Sequence, residues 1–118
     1  MINSYMSNNS ETLLTANTHP GDSTSVTLTG SDFKGDGYYG RSDGLHTVQY
    51  DYVGLTGVIQ IQATLATVPV AADWFGVATT TLVNETGTNI QNFTGNYVWL
   101  RAQLVYSDGT INSVVMNH

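Results

Sequence analysis

The stretch IQIQATL, residues 59–65, decides the fold class. Ile59, Ile61, Ala63 and Leu65 fall on one side of an extended chain, and Gln60, Gln62 and Thr64 on the other. Strict alternation of this kind describes a strand with one dry face and one wet or interfacial face. The same period of two runs outward in both directions. Val26 and Leu28 alternate with Thr27 and Thr29; Val48, Tyr50 and Tyr52 alternate with Gln49 and Asp51, before a turn at Gly54–Gly57. Trp74, Phe75 and Val77 open a Thr-rich, β-branched run to Val83, poor as helix and good as strand. Residues 84–96, NETGTNIQNFTGN, read as a loop or a loop with a short edge strand. Val98, Leu100, Ala102, Leu104 and Tyr106 then form an inward row, with Tyr97, Trp99, Arg101 and Gln103 opposite. Ser107-Asp108-Gly109 reads as a tight hairpin turn, which pairs residues 110–118 back on their predecessor.

No segment places apolar residues at helical spacing over ten positions. Roughly six to eight short strands with Gly and Asp turns predict an all-β chain, a single antiparallel β-sandwich or jelly-roll-like domain over residues 25–118. Residues 1–24 are polar and aperiodic, with Leu13 and Leu14 as their paired apolar residues. They read as an extended N-terminal arm, ordered by contact with another subunit or by docking within its own chain, that the domain does not need in order to fold.

Hydrophobic residues make up 41% of the 118, enough for one core. Nine acids against three bases (Lys34, Arg41 and Arg101) leave a net charge of −6, which repels phosphate backbones and argues against nucleic-acid binding. Only 10% of residues are charged, against roughly a quarter in an ordinary soluble domain. A surface so short of Lys and Glu suits contact with other subunits, so a homo-oligomer is expected. With no cysteine, there are no disulfides and no thiolate metal site, which is compatible with assembly in a reducing cytoplasm. No apolar run approaches the roughly eighteen residues of a membrane span, and MINSYMSNNSETLL has no signal-peptide pattern, so no membrane is expected.

Catalytic chemistry finds little support. His19, His46 and His118 are far apart in sequence, and none sits in a nucleophile motif. Asp32, Asp36 and Asp43 crowd one glycine-rich loop; calcium is the sharp reading, but the spacing is not that of an EF-hand, and Asp-Gly pairs are ordinary turn chemistry. Neither an enzyme nor a cofactor is expected. The residues that stand out are candidates for contact: Leu13 and Leu14 in the arm, Tyr38 and Tyr39 in the glycine loop, and Tyr97, Trp99 and Arg101 on the outward row. Aromatic rings and Arg are typical interface anchors, and flat rings also take sugars.

The stretch FKGDGYYGRSDGLHTVQY (33–50) resembles a segment of short virion structural proteins of marine tailed phages, including those that infect cyanobacteria. IQIQATLATVPVAADWF (59–75) and NFTGNYVWLRAQLVYSDGTINSVVMNH (92–118) resemble the same group. The resemblance implies a phage virion protein assembled in the host cytoplasm and carries no catalytic residue. The expectation that follows is a capsid decoration or cement protein that binds the major capsid protein lattice. The habits of such proteins suggest a trimer. The alternatives are a neck, tail, baseplate or fibre accessory protein and, in another class, a carbohydrate-binding module for host-surface attachment.

Overall fold

The computed structural model describes residues 11–22, 24–35, 37–38 and 44–117. The chain order is β1 (Glu11–Leu14), β2 (Asn17–Thr18), β3 (Val26–Thr29), β4 (Phe33–Lys34), β5 (Leu45–Thr64), a single 3-10 turn (Ala71–Asp73), β6 (Phe75–Thr94) and β7 (Trp99–Asn117). All pairings are antiparallel. The order across the sheet is β1-β7-β5-β6, with β2, β3 and β4 following β1 along the same edge of β7. The domain is an all-β sandwich, as the alternation predicts.

The three long strands correct the expectation of many short ones. Two of them have 20 residues and the third 19. Twenty residues laid straight span about 66 Å, yet the longest dimension of the molecule is 44 Å. The strands therefore bend, and all three bend at one line. β5 carries bulges between Tyr52 and Gly57, with Gly54 at φ 57°. β6 turns at Asn84, φ 47°, and Gly87. β7 turns at Gly109, φ 93°, where a Cβ would strike the backbone of Gly54. The turn expected at Gly54–Gly57 and the hairpin expected at Ser107–Gly109 are thus folds within continuous strands. Residues 110–117 continue β7 and pair with β5, β1 and β2, and residues 84–94 are the second half of β6.

Folding one sheet along that line makes two layers. The buried rows shift parity across it, as a bulge requires: Val48, Tyr50 and Tyr52 give way to Leu55, Ile59, Ile61 and Ala63. On β7, Leu100, Ala102, Leu104 and Tyr106 give way to Ile111, and a second register shift, between Ile111 and Ser113, returns Val114 and Met116 to the original parity. Both halves supply one continuous core. Gln91 on the first layer donates its amide to the Thr79 carbonyl on the second, at 3.1 Å. The Tyr50 hydroxyl donates to Gln91 at 2.7 Å, and burial pushes its phenol up to about 12.

Part of the expected arm lies inside this sheet. Leu13 and Leu14 are 2% and 5% exposed and belong to the core. β1 pairs with Val114–Met116, and β2 with Thr110–Ile111. His19 then stitches the bend: its backbone N–H reaches the Gly109 carbonyl at 2.9 Å, its Nδ1 accepts the Gly21 N–H, and its Nε2 donates to the Thr24 carbonyl at 2.7 Å. Those two ring contacts fix the tautomer. The Tyr106 hydroxyl bonds Asn17, and the His19 ring stands edge-on to Tyr106. Two buried leucines and two strand pairings tie this stretch to its own chain, where Leu13 and Leu14 are core residues.

Candidate functional site

The outward row on the first half of β7 and its neighbours on β5 form the most chemically distinctive face among the described residues. Register places side chains on it in rungs. Lys34, Trp99 and Thr64 make one; Arg101 and Gln62 the next, beside Gly76; then Thr29, Gln103, Gln60 and Thr79; and last Thr27, Val105, Val58 and Thr81. The alternation that buries Ile59, Ile61, Ala63, Leu100, Ala102 and Leu104 leaves these residues no other side of the sheet.

The polar groups are joined to one another. Arg101 Nε donates to Gln62 Oε1 at 2.8 Å. The Gln62 amide donates to Gln60 at 2.9 Å and to Gln103 at 3.3 Å, and the Gln103 amide donates to Thr29 Oγ1 at 3.2 Å. Gly76 leaves the room that the Gln60 amide occupies, since a Cβ there would press on that side chain. Three amides, a guanidinium and a hydroxyl are thereby held in fixed orientations on a half-exposed sheet surface.

Aromatic rings flank this network. Trp74, in the turn before β6, lies against the Arg101 guanidinium at 4.2 Å. Trp99 is pinned by a bond from its Nε1 to the Thr67 carbonyl at 2.9 Å, and Tyr38 meets it edge-on at 5.3 Å. The Lys34 ammonium lies 4.5 Å from the Tyr38 ring centre. Stacking on a ring holds a cation in place without neutralising it.

Of the contact candidates read from sequence, Tyr38, Trp99 and Arg101 meet here. Tyr97 does not. Its ring packs at the end of the sandwich with Phe75 at 5.7 Å, His46 at 6.2 Å and Phe93 at 6.4 Å, while His46 stacks on Phe93 at 4.7 Å. Tyr97 precedes the first residue of β7, so strand parity no longer governs it. Tyr39, Asp36 and Asp43 lie outside the described residues, and so does His118. Lys34, Gln60, Gln62, Trp74 and Gln103 were not singled out as site residues. The signal for the glutamines was already present, because the alternation that sends Ile59 and Ile61 inward sends Gln60 and Gln62 outward.

Two other sites are poorer in functional groups. A cleft of about 310 Å³ at the bend is lined by Gly21, Thr56, Ser107 and Asp108. A second, of about 240 Å³, opens between β1 and β3 beside Thr12, Asn17 and Thr29. Among the described residues, no group of three or more His, Asp or Glu side chains is placed to hold a metal ion.

No family model and no curated protein matches the sequence. Solved structures do match the fold. The C-terminal CBM6 of the marine laminarinase LamC from Zobellia galactanivorans is similar over 98% of this chain and 94% of its own, with 12% identity and a TM-score of 0.51. A carbohydrate-binding module of Cellvibrio mixtus lichenase 5A, solved with cellotriose, covers 96% of this chain and 88% of its own, at 11% identity and a TM-score of 0.49. A family 29 carbohydrate-binding module from Piromyces equi covers 96% and 93%, at 12% identity and a TM-score of 0.40. The first of these shares the sandwich fold. The capsid-decoration expectation is corrected by this finding: the solved domain whose fold the chain shares, that of LamC, is a carbohydrate-binding module, and the segment expected to grip a neighbouring capsid subunit lies, over residues 11–18, in its own sheet.

Proposed function

We propose that this chain is a non-catalytic carbohydrate-binding module, with the outer face of Gln60, Gln62, Arg101 and Gln103 as its binding surface. The observation that carries this reading is the joined amide–guanidinium network flanked by Trp74, Trp99 and Tyr38. A sugar ring has polar edges of hydroxyls and apolar faces of C–H groups. Fixed side-chain amides meet hydroxyls as both donors and acceptors, and aromatic rings meet the C–H faces. Val58 and Val105, both partly exposed, continue the surface as an apolar strip. An extended face suits a polysaccharide chain better than a small molecule, which prefers a concave pocket. The fold likeness to the LamC module supports the reading at the level of architecture. The resemblance to phage virion proteins supplies a setting, in which the glycan would belong to the host surface.

Retardation in native gels containing soluble polysaccharides tests this directly. The wild-type chain should be slowed by at least one glycan. Gln62→Ala, which removes the hub of the network, should reduce the shift about tenfold while the thermal midpoint moves little, because an exposed network of this kind adds only about 1 kcal/mol per bond to stability. Equal migration of both proteins in every glycan would refute the assignment.

A further inference from the structure

We infer that the glycan this face takes is anionic, carrying carboxylates or sulfates, and that Lys34 and Arg101 are the groups that read its charge. The inference rests on the binding reading above and deepens it. Of the three basic residues in a chain with a net charge of −6, two stand on this one face. Lys34 and Trp99 are register partners on β4 and β7, and Arg101 is two residues further along β7 on the same side. Their α-carbons are therefore within about 8 Å of each other, from strand spacing and rise.

Neither cation makes an ion pair with a described residue. Lys34 contacts the Tyr38 ring. Arg101 contacts the Trp74 ring and Gln62, through Nε. Four of the described acids accept hydrogen bonds elsewhere. Asp73 accepts the Val70 N–H, and Asp22 accepts the hydroxyl and N–H of Thr24, which hold its carboxyl below the usual range. Asp51 accepts from Asn112, and Asp108 from the Gly109 N–H. Asp32 is exposed before β4 and makes no ion pair with either cation. With acids three times as numerous as bases, two cations on one surface without an ion pair among the described residues are the opposite of what charge neutralisation would produce.

The rings sharpen the choice. One face of Trp74 is covered by the Arg101 guanidinium, so a ligand approaching there meets charge before it meets indole. A guanidinium whose Nε is anchored keeps its remaining N–H groups in a plane suited to an oxyanion. Lys34 offers a point charge to a second anionic group along the same chain. The net negative charge of the whole molecule would repel a polyanion at long range, and added salt screens that repulsion. Binding must then come from short-range contacts on the face.

Calorimetric titration of the intact chain with alginate, dextran sulfate and neutral dextran and laminarin provides the test. We expect one of the anionic polymers to bind at least about tenfold more tightly than either neutral glucan, the scale of one charge-assisted bond. Alginate against dextran sulfate decides between carboxylate and sulfate. Lys34→Gln and Arg101→Gln should each reduce that preference, and the Lys34 variant leaves the Arg101–Gln62–Trp74 contacts in place should the Arg101 variant prove unstable. Neutral glucan bound as tightly as both anionic polymers, or a preference unchanged in the Lys34 variant, would overturn this inference and leave the carbohydrate-binding reading standing. No heat with any glycan would overturn both.

Discussion

At the scale of single residues, burial and hydrogen bonding decide which side chains hold the fold and which are free to bind. Tyr50 belongs to the first group. Its phenol is buried, pushed up to about 12, and bonded to Gln91. Burial also raises the phenols of Tyr106 and Tyr52, the latter with help from Glu85. Because the folded Tyr50 holds its proton more tightly than the unfolded one, its contribution is fully present below pH about 10. It is lost as the pH rises through about 12, and amounts to about 2–3 kcal/mol in all. Urea midpoints measured across that window should fall steeply in the wild type. In Tyr50→Phe they should fall less, from a neutral-pH value lower by about 1 kcal/mol for the lost bond. Parallel curves for the two proteins would show that another group governs alkaline unfolding. The glutamines belong to the second group. Gln60, Gln62 and Gln103 bond mainly to each other and to Arg101, outside the core.

At the scale of elements, the period-two rows were legible and the lengths of the strands were not. Alternation over residues 59–63 and 100–106 places the correct side chains inside, and it implies the binding face by exclusion. It fails at Gly54, Asn84 and Gly109, because a glycine or asparagine at positive φ looks the same in sequence whether it closes a hairpin or folds a continuous strand. The difference lies in partners as far as 105 positions away, such as Glu11 with Met116, which local pattern does not contain. The strands within residues 11–18 were not legible for a related reason: Leu13 and Leu14 are adjacent, and a single buried pair has no period to detect. Two outcomes follow. Leu13→Ala should lower unfolding free energy by about 2–5 kcal/mol, the cost of a buried cavity; a dispensable arm would show almost none. Gly109→Ala, which sets a Cβ against Gly54 at φ 93°, should lower the thermal midpoint by several degrees, roughly the effect of 1–3 kcal/mol of backbone strain.

At the scale of the whole molecule, one sheet folded on itself gives a slab of 44 × 38 × 19 Å whose two broad outer faces differ in chemistry. The face of the first layer carries Thr47, Gln49, Asp51 and Asn92 with exposed Leu45 and Ile90, and Thr47 donates to Asn92 at 2.8 Å. Among the described residues, only the face of the second layer combines linked amides with indole rings and cations that make no ion pair. Composition showed a surface short of charge but not where the remaining charge sits. That placement depends on Lys34 pairing with Trp99, 65 positions away in sequence and two residues before Arg101 on β7. The central claim is that this one face binds glycan. Backbone amide shifts of the isotope-labelled chain, followed by NMR while a polysaccharide is added, test it at residue resolution. The largest changes should fall on Gln60, Gln62, Trp74, Trp99, Arg101 and Gln103. Changes confined to the bend cleft around Gly21 and Asp108, or to the opposite face around Gln49 and Ile90, would contradict it.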